Sequence, residues 1–232
     1  MLCVKEIYKK YGDIKALDGL SFEANKGEIV GIIGPNGAGK TTLFRIIAGL
    51  IKKYNGSISI NNKTSFFKTL EFISYLPEEP KFREEFNVNQ LFKAHALLYR
   101  VKKDQIYKQK SELIKLFNLG SCIKQSLLTL SKGNKKRAYF MAALANLNKS
   151  DLLLLDEPFD GIDPEKRVRI RRYLKTLKNK IILLSSHTLF DVEKIADRVI
   201  LIKDGKKYKE IKDIGPTKLE DEFMKMVEGK NE

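Results

Sequence analysis

Between Ile29 and Leu50 the chain changes character twice. A short, continuously apolar, β-branched run (Ile29-Val30-Gly31-Ile32-Ile33) gives way to Gly34-Pro35-Asn36-Gly37-Ala38-Gly39. Lys40-Thr41-Thr42 follows, and then Leu43, Ile46, Ile47 and Leu50 recur at helical spacing. The first run reads as a strand buried on both faces and the last as a helix with one apolar stripe. Strand, glycine loop, helix is an order that few folds accommodate. The glycines allow successive backbone N–H groups to turn inward around an anion, and the helix adds its partial positive end. The stretch fits G-x-x-x-x-G-K-[ST], in which Lys40 reaches β- and γ-phosphates and the Thr41 hydroxyl is offered to Mg²⁺.

A second buried strand, Leu152-Leu153-Leu154-Leu155, runs directly into Asp156-Glu157. In open α/β sheets ligands bind outside the carboxyl ends of the strands, so this pair falls where chemistry is expected. Asp156 is expected to hold Mg²⁺, mostly through water. Glu157 is expected to orient and deprotonate an attacking water. A third buried strand, Ile181 to Leu184, precedes His187. If the two strands end side by side, His187 reaches the γ-phosphate. His95 lies on a helix among apolar neighbours and reads as structural.

The remaining pattern supplies an architecture. Val4, Ile7 and Tyr8, then Leu20, Phe22 and Ala24, predict two strands around a turn at Gly12–Asp13. Ile58, Ile60 and Phe72 to Leu76 predict further strands. From Asn87, a plausible N-cap, to Leu147 the spacing is helical. It implies one helix through Leu91 and Leu98, one through Leu113 and Phe117, and one from Asn134 to Leu147. Asp163-Pro164 predicts a capped helix start, and Thr188 with Asp191 resembles a capping box. Val199–Ile202 and Tyr208–Ile211 predict a hairpin on Asp204-Gly205, and a last helix spans Leu219 to Val227.

Of the 232 residues, 43% are hydrophobic and 31% charged, which excludes a wholly disordered chain. No uncharged stretch approaches the roughly 18 apolar residues of a bilayer span, and no secretory leader is visible. Two cysteines, Cys3 and Cys122, lack metal spacing and point to a reduced compartment. The formal charge of +15 attracts polyanions, yet its densest clusters (Lys132 to Arg137, Lys166 to Arg172, Lys203 to Lys209) read as solvated lysine-rich surface. No nucleic-acid motif accompanies them.

In this order the motifs resemble the ATP-binding cassette (ABC) ATPases. Leu130-Ser131-Lys132-Gly133-Asn134, followed by Lys135-Lys136-Arg137, is similar to that family's signature, normally LSGGQ with a basic run. Asp160-Gly161-Ile162-Asp163 resembles its D-loop, His187 its switch histidine, and Tyr11 the aromatic that stacks on adenine. YLPEEP and the LSKG core look most like ATPase subunits of bacterial exporters, whose membrane-spanning partner is a separate chain. The fold class implied is α/β: a P-loop NTPase core with a mostly parallel sheet, an N-terminal antiparallel β part and an inserted helical subdomain. The whole chain would be one ATPase domain, its core at about 1–79 and 150–232 and its helical subdomain at about 80–149.

The resemblance implies ATP and Mg²⁺ as cofactors. ATP would be held by Tyr11, Gly34, Pro35, Asn36, Gly37, Ala38, Gly39, Lys40, Thr41, Thr42, Glu78, Ser131 and Gly133. Thr41, Glu78 and Asp156 would hold the metal, and Glu157 and His187 would act in catalysis. Two departures stand out: the family's Q-loop glutamine is Glu78 here, and Lys132 and Asn134 replace Gly and Gln in the signature. The implied mechanism is a head-to-tail homodimer, or a pair with a similar ATPase subunit, closing on two ATP. Its motion would pass to a separate integral-membrane permease through the segment near Glu78 and Phe82–Phe86. The location implied is cytoplasmic, peripheral on the inner face of the cell membrane, with no specific nucleic acid expected. The competing expectation is a stand-alone ABC ATPase acting on nucleic acid or ribosomes. Between Thr42 and Ser131 there are no coiled-coil heptads, and the chain holds one cassette, which counts against it.

Overall fold

The computed structural model describes residues 1–61 and 72–229. Strands β1 (Leu2–Tyr11), β2 (Ile14–Ala24) and β4 (Asn55–Ile60) form an antiparallel sheet in the order β2-β1-β4. The second sheet has six strands, ordered β5-β6-β7-β3-β8-β9: β5 (Ile73–Leu76), β6 (Leu152–Leu155), β7 (Ile181–Ser186), β3 (Ile29–Ile33), β8 (Arg198–Lys203) and β9 (Lys206–Ile211). All its pairs are parallel except β8–β9. This is the α/β architecture expected, with its antiparallel N-terminal part.

The continuous apolar runs are explained by burial on both faces. Alternate residues of each central strand enter different cores. Val30, Ile32, Leu152, Leu154, Ile181, Leu183, Ile200 and Ile202 pack towards the antiparallel sheet and helix α1 (Lys40–Ile47). Ile33, Leu153, Leu155, Ile182, Leu184, Val199 and Leu201 join the core of the other helices. Burying a leucine or isoleucine is worth about 1.5–3 kcal/mol, so each strand is pinned from both sides. A one-residue slip would exchange the two sets wholesale.

Between the adjacent strands β5 and β6 lie α2 (Val88–Leu98), α3 (Lys103–Phe117) and α4 (Lys132–Ala143). Asn87 caps α2 in a full capping box with Gln90. The helix expected from Asn134 starts earlier, at Lys132, because Ser131 is its N-cap. It ends at Ala143, where a tighter turn over Leu144–Asn146 takes over. Beyond β6, α5 (Pro164–Thr176) precedes β7, the short α6 (Leu189–Glu193) precedes β8, and α7 (Pro216–Glu228) follows β9.

Two cap expectations fail. Thr188 occupies the N-cap of α6 but makes no side-chain cap bond. Its supposed partner Asp191 is 2% exposed and is turned to Arg167 and Arg171 of α5, at 2.8 and 2.9 Å. Asp163 likewise makes no cap bond on α5 and pairs with Lys166 instead. In both cases a nearby cation outbids a backbone N–H for the carboxylate. The strand expected from Phe72 begins at Ile73.

Candidate active site

The glycine loop leaves the carboxyl end of β3 and turns into α1 through two left-handed residues, Gly37 (φ +82°) and Gly39 (φ +104°). A Cβ on Gly39 would lie 2.4 Å from the Ala16 carbonyl oxygen, so only glycine fits there. The loop is braced by the β8–β9 turn. The Gly205 N–H donates to the Ala38 carbonyl at 3.2 Å, and its own carbonyl accepts from Asp18 N–H at 2.9 Å. Lys40, 8% exposed, reaches back across the loop to donate to the Gly34 and Pro35 carbonyls at 2.7 and 3.1 Å. Burial lowers its pKa, while Glu157, Asp156 and Glu78 pull the other way. The ammonium therefore sits inside the cradle with three carboxylates around it.

A cleft of about 380 Å³ opens over this loop. It is walled by Asn36 to Thr42 together with Ile14, Ala16, Glu78 and Glu157. Of the residues expected to hold nucleotide, Asn36 to Thr42 and Glu78 are thus brought together, while Gly34 and Pro35 lie outside the wall and turn their carbonyls to Lys40. Tyr11 is half exposed at the end of β1, in register with Ile14, and its ring is covered by the Lys9 ammonium 4.8 Å away. It is not in the wall of the cleft. The apolar side of that wall is Ile14, 72% exposed, which sequence reasoning missed.

Parallel pairing of β6 with β7 sets the acidic pair. The buried Ser185 hydroxyl donates to Asp156 Oδ1 at 2.6 Å and accepts from the Glu157 N–H at 3.0 Å. One hydroxyl thus fixes both acids, a role that only the strand pairing reveals. Asp156 is 1% exposed, and its second oxygen, Oδ2, has no partner. A buried carboxylate oxygen without a partner costs on the order of 1–3 kcal/mol or more. It is the kind of group a cation or its waters would satisfy. Among the described residues no three His, Cys, Asp or Glu side chains converge to hold a metal by themselves. A cation bound here would draw on Asp156, the Thr41 hydroxyl, phosphate oxygens and water, a donor set that suits Mg²⁺. Glu78 adds a second carboxylate to the cleft wall beside Glu157.

Glu157 has a left-handed backbone (φ +48°), a strained conformation for a residue with a side chain. Its Oε2 accepts from the His187 N–H at 3.2 Å and lies 2.9 Å from His187 Nδ1. An ionised carboxylate only accepts, so the ring nitrogen is the donor. The expectation that His187 comes to the end of the neighbouring strand is met, and the partner it finds there is Glu157. The arrangement can bind a phosphate chain, hold a hard cation and present a carboxylate base oriented by an imidazole.

Ser131 and Gly133 stand apart from this cleft's wall. Ser131 caps α4, its Oγ accepting from the Asn134 N–H at 3.3 Å. A Cβ on Gly133 would come within 2.7 Å of the Gly161 carbonyl oxygen, and Lys132 pairs with Asp160 at 3.4 Å. The signature stretch is therefore seated on the loop that follows the acidic pair.

Comparisons with known proteins agree with this geometry. Residues 17–160, more than half of the chain, match a family model described as ABC transporter. An ABC transporter ATP-binding protein of Methanocaldococcus jannaschii is 36% identical over 215 residues, covering 91% of this chain and 78% of the relative. SrtF of Streptococcus pyogenes, a lantibiotic transport ATP-binding protein, is 31% identical over 229 residues, covering 98% of this chain and 97% of its own. A solved ATP-binding subunit of an ABC transporter superposes with a TM-score of 0.87 at 25% identity, over 97% of this chain and 99% of that one.

Proposed function

The chain belongs to the ABC transporter family of ATP-binding proteins, and on that premise we propose that it is the ATP-hydrolysing subunit of an exporter. Two copies close head to tail on two ATP and drive a separate membrane permease. One observation carries this reading: the site is split. The loop, Glu78 and Glu157 wall one cleft, and Asp156 and His187 are tied to Glu157 through Ser185 and by direct contact respectively, whereas Ser131 caps a helix outside that wall. A second copy supplying its Ser131 and Gly133 completes the cleft, with the γ-phosphate shared between the two.

In this reading the residues divide the work. Lys40 and the loop N–H groups hold the phosphates. Asp156, Thr41 and Glu78 hold Mg²⁺, which supplies charge neutralisation on the phosphate chain. Glu157 takes a proton from the attacking water, and His187 keeps its carboxylate aimed. A positioned base of this kind is worth about 10²–10⁴-fold in rate. Tyr11 covers the adenine.

No helix among the described residues is long and apolar enough to cross a membrane, and in this reading the pathway is supplied by the permease. Its landing place is the groove of about 1,110 Å³ walled by Lys81 to Phe86, Ala94, Leu97, Leu98 and Leu128. Leu97 and Leu98 are 68% and 71% exposed there. In this reading its occupant is a permease helix with an apolar face, and the protein works at the cytoplasmic face of the membrane. The transport role is supported by the end-to-end match with SrtF, a lantibiotic transport ATP-binding protein. The test is Glu157→Gln, which retains ATP and stalls hydrolysis. With ATP and Mg²⁺ it is expected to sediment as a dimer, and a monomer under those conditions would refute the sandwich.

A further inference from the structure

Helix α4 does more than present Ser131. Two neighbouring lysines fasten it to the segment that leaves the active site at Glu78. Lys136 Nζ donates to the Glu78 backbone carbonyl at 2.9 Å. Lys135 forms an ion pair with the Glu84 carboxylate. The far end of the same segment is held by backbone as well: Glu84 O accepts from the Leu128 N–H at 3.2 Å and from Ser126 Oγ at 3.0 Å, and Phe86 O accepts from the Leu127 N–H at 2.9 Å. Between the two lysine contacts run Lys81, Phe82 and Arg83, which wall the groove.

Lys136 is an expensive choice for this place. It is 9% exposed, and a buried ammonium costs more than the apolar side chain that would fill the same space. The negative charges of Asp160, Asp156, Glu78 and Glu157 oppose that cost. The amino group thus lies in the field of four acids around the site while bonded to the start of the groove segment. Successive helical residues point about 100° apart, so Lys135 and Lys136 reach different ends of that segment from one turn of helix.

We propose that Lys135 and Lys136 are positioning residues that make the 78–86 segment move with α4 when Ser131 engages the nucleotide on the opposite copy. This rests on the dimer reading given above. The pair transmits through rigid contacts: α4 is packed along most of its length, with Ala138 to Ala143 buried, so a displacement of its first turn cannot be absorbed locally.

The experiment compares the Glu157→Gln chain with the same chain carrying Lys135→Gln and Lys136→Met. Sedimentation with ATP and Mg²⁺ scores the dimer, and backbone hydrogen exchange scores residues 131–137 and 80–86 separately. The parent is expected to dimerise and to gain protection at both places. The lysine variant is expected to dimerise and keep the change at 131–137, while the gain at 80–86 falls about tenfold. Lys136→Arg, which keeps a donor, restores it. Glu84→Gln removes the exposed half of one contact without touching α4, and reproduces part of the loss should the lysine variant fold poorly. An undiminished gain at 80–86 in the lysine variant or in Glu84→Gln overturns the inference, as does a parent dimer with no gain there. A parent that never dimerises overturns the sandwich itself, and the inference with it.

Discussion

His95 measures how dry the ring cluster behind Phe82 is. It lies on α2 with its ring 5.4 Å from that of Phe82, which in turn packs edge-on against Phe86 at 5.5 Å. Burial lowers its pKa to about 4, whereas an unfolded histidine titrates near 6.5. The folded chain therefore refuses a proton that the unfolded chain accepts across that interval. Stability is full above about pH 6.5 and is lost as pH falls towards 4, where the folded ring also charges. Integrating from pH 7.5 to pH 5 gives a loss of about 2 kcal/mol from this one group. In a chain of this size that is about 4–8 °C in Tm. The perturbation is His95→Phe, which keeps a ring against Phe82 and removes the titration. Urea unfolding of both proteins at the two pH values isolates the difference, because every other group is common to them. The parent is expected to lose about 2 kcal/mol more than the variant. Equal losses would show that the ring is hydrated or paired, and that the cluster behind Phe82 is not dry.

Three further outcomes are expected. Lys40→Ala removes the cation from the cradle and is expected to lose measurable ATP binding in calorimetry; full turnover in that variant would remove the loop from the mechanism. Asp191→Ala strands Arg167 and Arg171, and breaking a buried pair of this kind costs about 3–5 kcal/mol; a loss under about 1 kcal/mol in urea unfolding would mean that solvent already screens the pair. Tyr11→Ala is expected to weaken ATP binding by the about 1–3 kcal/mol of a base stack and to leave triphosphate alone unaffected. Unchanged ATP affinity would hand the adenine to Ile14 and Ala16.

How far the sequence could be read depends on the range of each interaction. The buried strands were legible because both faces of β3, β6 and the first four residues of β7 meet apolar layers, which leaves no polar position in those runs. The glycine loop, the acid pair and the β8–β9 turn were legible because each is specified within a few residues. The Asp191 cap was misread because its partners, Arg167 and Arg171, lie on another helix. Ser185 was silent for the same reason: nothing in Ser185-Ser186 says that a neighbouring strand will place Asp156 and Glu157 beside one hydroxyl. The start of α4 was missed because its polar first turn, Lys132 to Arg137, carries no apolar stripe, and Lys136 and Arg137 are themselves buried. Ile14 sits next to Tyr11, and local pattern alone favours the aromatic.

The turn at Gly205 touches no reacting atom, yet it is wedged between β2 and the glycine loop. A methyl group there would lie 2.7 Å from the Leu17 Cα and 2.9 Å from the Ala16 carbonyl oxygen. Replacing it would prise the hairpin off β2 and withdraw the prop beneath Ala38. An enzymologist screening for inactive variants would meet such a lesion as lost nucleotide affinity and be tempted to assign Gly205 to the chemistry. It belongs instead to the masonry, as the wedge that keeps an arch of glycines from spreading.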